Sequence, residues 1–498
     1  MSTRIQKGIW LAIFMMSCSF TAQAAPCAWK EFEDGGVASA DDVNCNFNLL
    51  DLSTDYNRTS IINIQSRIDQ AEGDISNLAE STQKNRYRTV WVSKTGGDYT
   101  TLSDAVAYAS SVLQSETIKE PFLIRVAPGN YFEKATVVLS NKIYVQGSGR
   151  EVTTITCDDQ GCLDGVILYG RSGLADLKIS MNSFKNQFSR IRGIFATQDF
   201  NKDDCHPTID NVHVEMYPAD GTEAQGITLD FCDTGTVTHS KVDVYGGNSS
   251  GGANSVIGIK VGSPSERPLT ISESSIAVSG AGIVSGIESS GFGPSIFRDL
   301  DIEAEVFGGF TRAAGVYLLN GELELLQSRV KARGPNLVYG FFGDGTRDSN
   351  IVSTGYIRGS YLRAENQSGA KAALHAFHVQ DDAKVIVTGS RLGVSDEAGL
   401  DGWWLASADG GDGGDGSGAP YTQEVSLIKD TVLSRGQIGC GFQQPADIVQ
   451  AGGIQTCFVC SNVSYEPSKA AVANSIYFTE YDNQCAATDG GWSGPLAE

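Results

Sequence analysis

Three stretches of this 498-residue chain bring together side chains able to do chemistry. Asp203-Asp204-Cys205-His206 sets two carboxylic acids beside an imidazole. Adjacent carboxylates split their pKa values, so one can act as acid and the other as base, with His206 relaying a proton. The alternative is a solvated loop anchored through Cys205. His375-Ala-Phe-His378-Val-Gln-Asp381-Asp382 offers a second acid and imidazole group, with His378, Asp381 and Asp382 as its catalytic candidates. On a strand His378, Gln380 and Asp382 share one face and His375 lies on the other, so strict alternation predicts that the histidines do not converge. Structural or surface histidines are the competing reading. The third stretch runs from Trp403-Trp404 into the glycine-rich segment 410–418, where Asp412 and Asp415 stand on tight turns. That segment is close to one calcium-binding nonapeptide, although Ser417 stands where a large apolar residue is wanted, and a flexible acidic loop is the alternative. The faces of Trp403 and Trp404 could stack on sugar rings if exposed, or pack in a core.

The elements that must position these residues repeat. From Gly165 to about Ser434, one half of each unit opens on glycine and apolar residues: Gly165-Val-Ile, Gly193-Ile-Phe, Gly226-Ile, Gly258-Ile, Gly286-Ile, Gly315-Val-Tyr and Gly340-Phe-Phe. The other half carries a core residue, then others three, five and seven positions later. Examples are Leu174/Leu177/Ile179/Met181, Val237/Ser240/Val242/Val244 and Ile357/Ser360/Leu362/Ala364. Leu427/Asp430/Val432/Ser434 reads as the ninth and last set. Positions five and seven alternate as a strand does, whereas the step of three breaks that period. A break at a small or polar residue turns the chain from one sheet into the next and keeps the apolar side inward. Variable spacing around a constant core pattern confines insertions to loops, as in a solenoid of stacked coils.

Ahead of the repeat, residues 90–156 contain G-D-Y-T-T-L-x-D-A-V, then I-R-V-x-P-G-x-Y-x-E, then I-Y-V-Q-G-x-G. This order resembles the opening segment of pectinesterases and, more broadly, of the pectin-lyase-like superfamily. It covers about a seventh of the chain and implies a right-handed parallel β-helix. Leu102, Ala105, Val106, Ala109, Val112 and Leu113 fall on one face of a helix N-capped by Thr101, which should cap the open end of the coils. The catalytic runs of pectinesterases do not follow. Ala224-Gln225-Gly226-Ile227 and Thr228-Leu229-Asp230-Phe231 are their nearest approaches, and the polygalacturonase signatures are missing as a set.

Arg4 and Lys7, the apolar run 9–16 and Ala22-Gln23-Ala24 read as a secretory signal peptide ending at 24. Removing it leaves 35 basic against 59 acidic residues, a balance of −24, which repels phosphate backbones and excludes nucleic acid as a partner. No other apolar run is long enough to span a bilayer. Of eleven cysteines, Cys18 leaves with the signal. The rest suggest disulfides between near neighbours: Cys27 with Cys45, Cys157 with Cys162, Cys205 with Cys232, and two among Cys440, Cys457, Cys460 and Cys485. A zinc site at Cys457 and Cys460 is the competing reading of the last group. Apolar residues from Phe47 to Leu78 alternate steps of three and four, a heptad seam that permits two or three strands, with a homotrimer through 47–82 favoured; a single amphipathic helix packed on the β-domain is the alternative.

The sequence therefore predicts an all-β chain: signal peptide 1–24, stapled segment 25–46, heptad helix 47–86, parallel β-helix of about ten coils 87–435 and cysteine-rich cap 436–498. Its expected role is an exported protein, extracellular, at the cell surface or periplasmic, that recognises a polysaccharide or other extended surface ligand, with calcium as the one cofactor suggested. A carbohydrate-active enzyme and a trimeric adhesive spike are the alternatives.

Overall fold

The computed structural model describes residues 87–465 apart from stretches between strands, the longest being 183–189, 247–254, 345–352, 396–402, 410–425 and 442–457. From residue 403 on, the description is of the backbone, Thr431 excepted. The signal segment, the stapled segment with Cys27 and Cys45, and the heptad helix lie outside the described residues.

Among the described residues every strand pair is parallel, and the strands form a 23-stranded sheet and an 11-stranded sheet. One coil shows the plan. Glu223–Asp230 lies in the smaller sheet, Gly235–Thr238 and Lys241–Tyr245 lie in the larger one, and Ser255–Gly262 returns to the smaller sheet beside Glu223–Asp230. The larger sheet thus makes two walls, here called the first and second, and the smaller makes the third. Gly173–Asn182 and Thr208–Tyr217 run unbroken around the corner between the first two walls. Parallel strands joined by such crossovers wind right-handed.

The step of three has a backbone cause. In the first eight sets the residue two after the first core position takes a left-handed conformation: Asp176, Asn211, His239, Glu273, Asp299, Gln327, Gly359 and Gly389, with φ between 48° and 59°. That single residue turns the strand by a corner and brings the next one round with its apolar side still inward. The residue after it is often serine, and the hydroxyls form a ladder between coils. The Ser240 amide donates to Ser274 Oγ at 3.0 Å, Ser328 to Ser360 at 3.1 Å and Ser360 to Ser390 at 3.2 Å. Each of these hydroxyls donates in turn to the carbonyl two residues back, as Ser328 does to Leu326 at 2.7 Å. The corner therefore buries polar backbone with its hydrogen bonds made.

The third wall bends at its glycine column. A Cβ on Gly165 would stand 2.7 Å from the Gly193 carbonyl oxygen and 3.0 Å from Ile179, so the close approach of coils requires its absence. Ala224, Ile227 and Leu229 face the core there, while Gln225 and Thr228 face out, again a step of three.

Register corrects the end of the repeat. Val387 pairs with Ile428 and Leu392 with Leu433, so the ninth set is Ile428/Thr431/Leu433, one residue on from the set that starts at Leu427. Thr431, fully buried, follows Ser390 in the hydroxyl column. Pairing continues beyond 435, since Gln437–Gly441, Phe458–Ser461 and Ser464–Tyr465 extend the same sheets. Cys460 pairs with Ile428 and Tyr465 with Leu433 in these last strands.

At the other end, helix α1 (Leu102–Ser115) buries Leu102, Ala105, Val106, Ala109 and Leu113. Its N-terminus is held twice. Thr101 and Asp104 bond reciprocally, and the buried Glu133 carboxylate accepts from the amides of Leu102 at 2.9 Å and Ser103 at 3.3 Å. The glutamate of P-G-x-Y-x-E is therefore a helix cap, placed where α1 presents unpaired N–H groups and positive dipole. Cys157–Cys162 and Cys205–Cys232 are disulfides, with Cα separations of 6.1 and 4.4 Å. Among the described residues no helix is long and apolar enough to cross a membrane.

Candidate carbohydrate-binding face

On the second wall, Val214, Met216, Val242 and Val244 are fully buried in the core, so the residues between them face outward. Register stacks these into rows. Lys178, His213 and Lys241 form one, and Ser180, Glu215 and Asp243 the next. Lys178 Nζ pairs with Glu215 at 2.9 Å, while Asp243 accepts from His213 Nε2 at 2.8 Å and Lys241 Nζ at 2.5 Å. Asp243 is 3% exposed and His213 7%. Burial works against the Asp243 charge, but the bonds from His213 and Lys241 outweigh it and hold this carboxyl below its ordinary range. The bond to Asp243 raises Lys241 in turn. At the ends of these strands Tyr217 and Tyr245 stack with ring centres 5.2 Å apart and planes 17° off parallel. They are 42% and 40% exposed.

The outward face of the third wall is different. Arg192 meets Asp164, Lys260 meets Glu288 at 2.7 Å, and Gln225 lies between Glu223 and Thr228, each at 2.7 Å. Further along, Tyr317, Tyr339, Phe342, His375 and His378 stack at 4.8–5.3 Å, with Arg312 over Tyr317 at 4.5 Å. These five rings are buried. Burial takes His378 down to about 4, and burial followed by the neighbouring His378 takes His375 well below the imidazole range. Burial, with Asp344 beside it, raises Tyr317.

His375 and His378 do converge, with ring centres 5.0 Å apart, against the expectation from alternation. Tyr339 pairs with His375 and Phe342 with His378, while Ala376 falls opposite Gly340 and takes the place of glycine at the bend. Asp381 and Asp382 lie outside the described residues. In register, Trp404 pairs with His375 and Trp403 with Leu374. Asp412 and Asp415 lie outside the described residues, as do Asp203, Cys457 and Cys485; Cys440 and Cys460 lie on described strands.

Asp204 and His206 meet Asp233, with the possible ligand atoms of all three within 4.8 Å of one another. This is the one described cluster able to hold a metal. Sequence reading stopped short of Asp233, although pairing Cys205 with Cys232 already puts that residue beside Asp204. The residues nearest to pectinesterase runs are Gln225, tied up as above, and Asp230, whose carboxyl burial raises against the pull of Lys260 and Arg192.

No protein-family model matches the sequence, and no curated protein does. Solved structures match in fold. The A-module of mannuronan C-5 epimerase AlgE6 from Azotobacter vinelandii is 12% identical, with a TM-score of 0.44 over 74% of this chain and 85% of its own. The catalytic unit of a GH87 α-1,3-glucanase from Streptomyces thermodiastaticus is 13% identical, with a TM-score of 0.44 over 82% and 70%. Pectin methylesterase PemA from Erwinia chrysanthemi is 14% identical, with a TM-score of 0.29 over 78% and 91%. The likeness is one of fold alone. The continuous parallel ladders define a right-handed parallel β-helix.

Proposed function

We propose that this is an exported protein that binds a neutral polysaccharide on the outward face of its second wall without transforming it. The observation that carries the reading is the exposed, stacked pair Tyr217 and Tyr245 beside Lys178, Glu215 and Lys241. Sugar rings present C–H groups to an aromatic face and hydroxyls to flanking charged groups. Two carboxylates, Glu215 and Asp243, balance two ammonium groups there, and a chain of net charge −22 disfavours a polyanionic ligand. A general acid or base must reach its substrate, whereas His213 and Asp243 are buried and bonded to each other, which supports positioning over catalysis.

Retention of the purified protein in gels containing neutral or acidic polysaccharides tests this, with reducing and unsaturated ends assayed in parallel. Tyr217→Ala and Tyr245→Ala should each weaken retention on the order of tenfold. Unchanged retention would move the site off this face, and release of new ends would replace binding with catalysis. The heptads at 47–82 fit the same reading as a trimerisation device that multiplies weak sites. Light scattering on the full chain should give the mass of three copies; a monomer would remove that part.

A further inference from the structure

We propose that Asp204, His206 and Asp233 form a binding site for a divalent transition metal of the zinc class, independent of the polysaccharide reading. The three sit where successive coils pass from the third wall to the first, and their backbone is fixed. The Cys205–Cys232 disulfide joins the two segments. The His206 amide donates to the Gly170 carbonyl at 2.9 Å, and the Asp233 amide to the Cys205 carbonyl at 3.0 Å. One carboxylate oxygen of Asp233 accepts the Cys205 amide at 3.2 Å, which orients that side chain. Such second contacts are what hold metal ligands in place.

The spacing itself points to an ion. Elsewhere in this chain imidazole and carboxylate close to contact: His213 on Asp243 at 2.8 Å, His239 on Asp210 at 2.8 Å and on Glu273 at 3.0 Å. His206 Nε2 instead stops 3.6 Å from Asp204 Oδ2, and that nitrogen is shielded from solvent and makes no hydrogen bond. Two ligand atoms each about 2.0–2.1 Å from a tetrahedral zinc ion stand about 3.3 Å apart. The observed gap is thus too wide for a hydrogen bond and close to that of two ligands on one ion. Asp233 closes the third edge, and Asp204, with 67% of its side chain exposed, leaves the outer side open to a water ligand. An imidazole nitrogen among the ligands favours zinc over calcium, which takes oxygen donors in larger number.

The test uses full-length protein stripped with EDTA and titrated calorimetrically with zinc chloride and, separately, calcium chloride. The proposal expects zinc to bind and His206→Ala to remove one zinc equivalent or weaken it at least tenfold. Asp204→Asn, at an exposed position that folding tolerates, should weaken it similarly, with the EDTA-treated melting temperature of both variants unchanged. Zinc binding equal in wild type and both variants, no zinc binding, or calcium bound more tightly than zinc through these residues would overturn it.

Discussion

Acidification should loosen the aromatic stack on the third wall, and His378 sets the size of the effect. Burial holds its imidazole neutral in the folded protein down to about pH 4, whereas an unfolded histidine takes up a proton near pH 6.5. Between those values the unfolded chain binds more protons than the folded one, so stability is fully present above about pH 6.5 and falls as pH drops towards the folded value. From about pH 7 to about pH 4.5 this one group removes about 2 kcal/mol. His375 shifts in the same direction, through burial first and then its neighbour His378, and adds to the loss. Carboxylates also titrate near the lower end, so the informative quantity is a difference between proteins. Urea unfolding followed by intrinsic fluorescence at both pH values would be compared for wild type and His378→Phe, which keeps a ring against Phe342 and Tyr339 and removes the proton site. The variant should lose about 2 kcal/mol less on acidification. Equal losses in the two proteins would refute the argument.

Two further outcomes test how the coils are held. Glu133→Ala leaves the Leu102 and Ser103 amides without their acceptor and should cost about 2 kcal/mol, with faster hydrogen exchange at both amides; Glu133→Gln keeps an acceptor and should cost less. Exchange rates unchanged by the alanine variant would show that the cap does not hold α1. Gly286→Ala would put a methyl 2.5 Å from the Gly315 carbonyl oxygen and against Ile302. The cost should be about 1–3 kcal/mol in the urea midpoint, and an unchanged midpoint would mean that the stack opens freely at that coil.

The corner between the first two walls was legible because apolar residues flank it at a constant offset, and because serine recurs just beyond the turn. The left-handed residue that makes the corner was not. Asp176, Asn211, His239, Glu273, Asp299 and Gln327 share no side-chain type, and only Gly359 and Gly389 advertise their conformation. The equivalent bend on the third wall was marked by glycine through Gly340, and Ala376 hid it one coil later, which is why His375 and His378 read as opposed. The tyrosine pair was missed for a more general reason. Each tyrosine ends an apolar set, and along the chain each reads as a strand terminus. Sites in a solenoid lie in columns across the coils, so a reading that follows the chain meets their members one at a time. Counting from the first residue of the sets that start at Leu174, Ile209 and Val237 supplies the missing dimension. The fourth position onward is Lys178, His213 and Lys241, the sixth Ser180, Glu215 and Asp243, and the eighth Asn182, Tyr217 and Tyr245. The same core offsets that establish the fold thus align the outward residues, and with them the charged row and the aromatic pair of the proposed binding face.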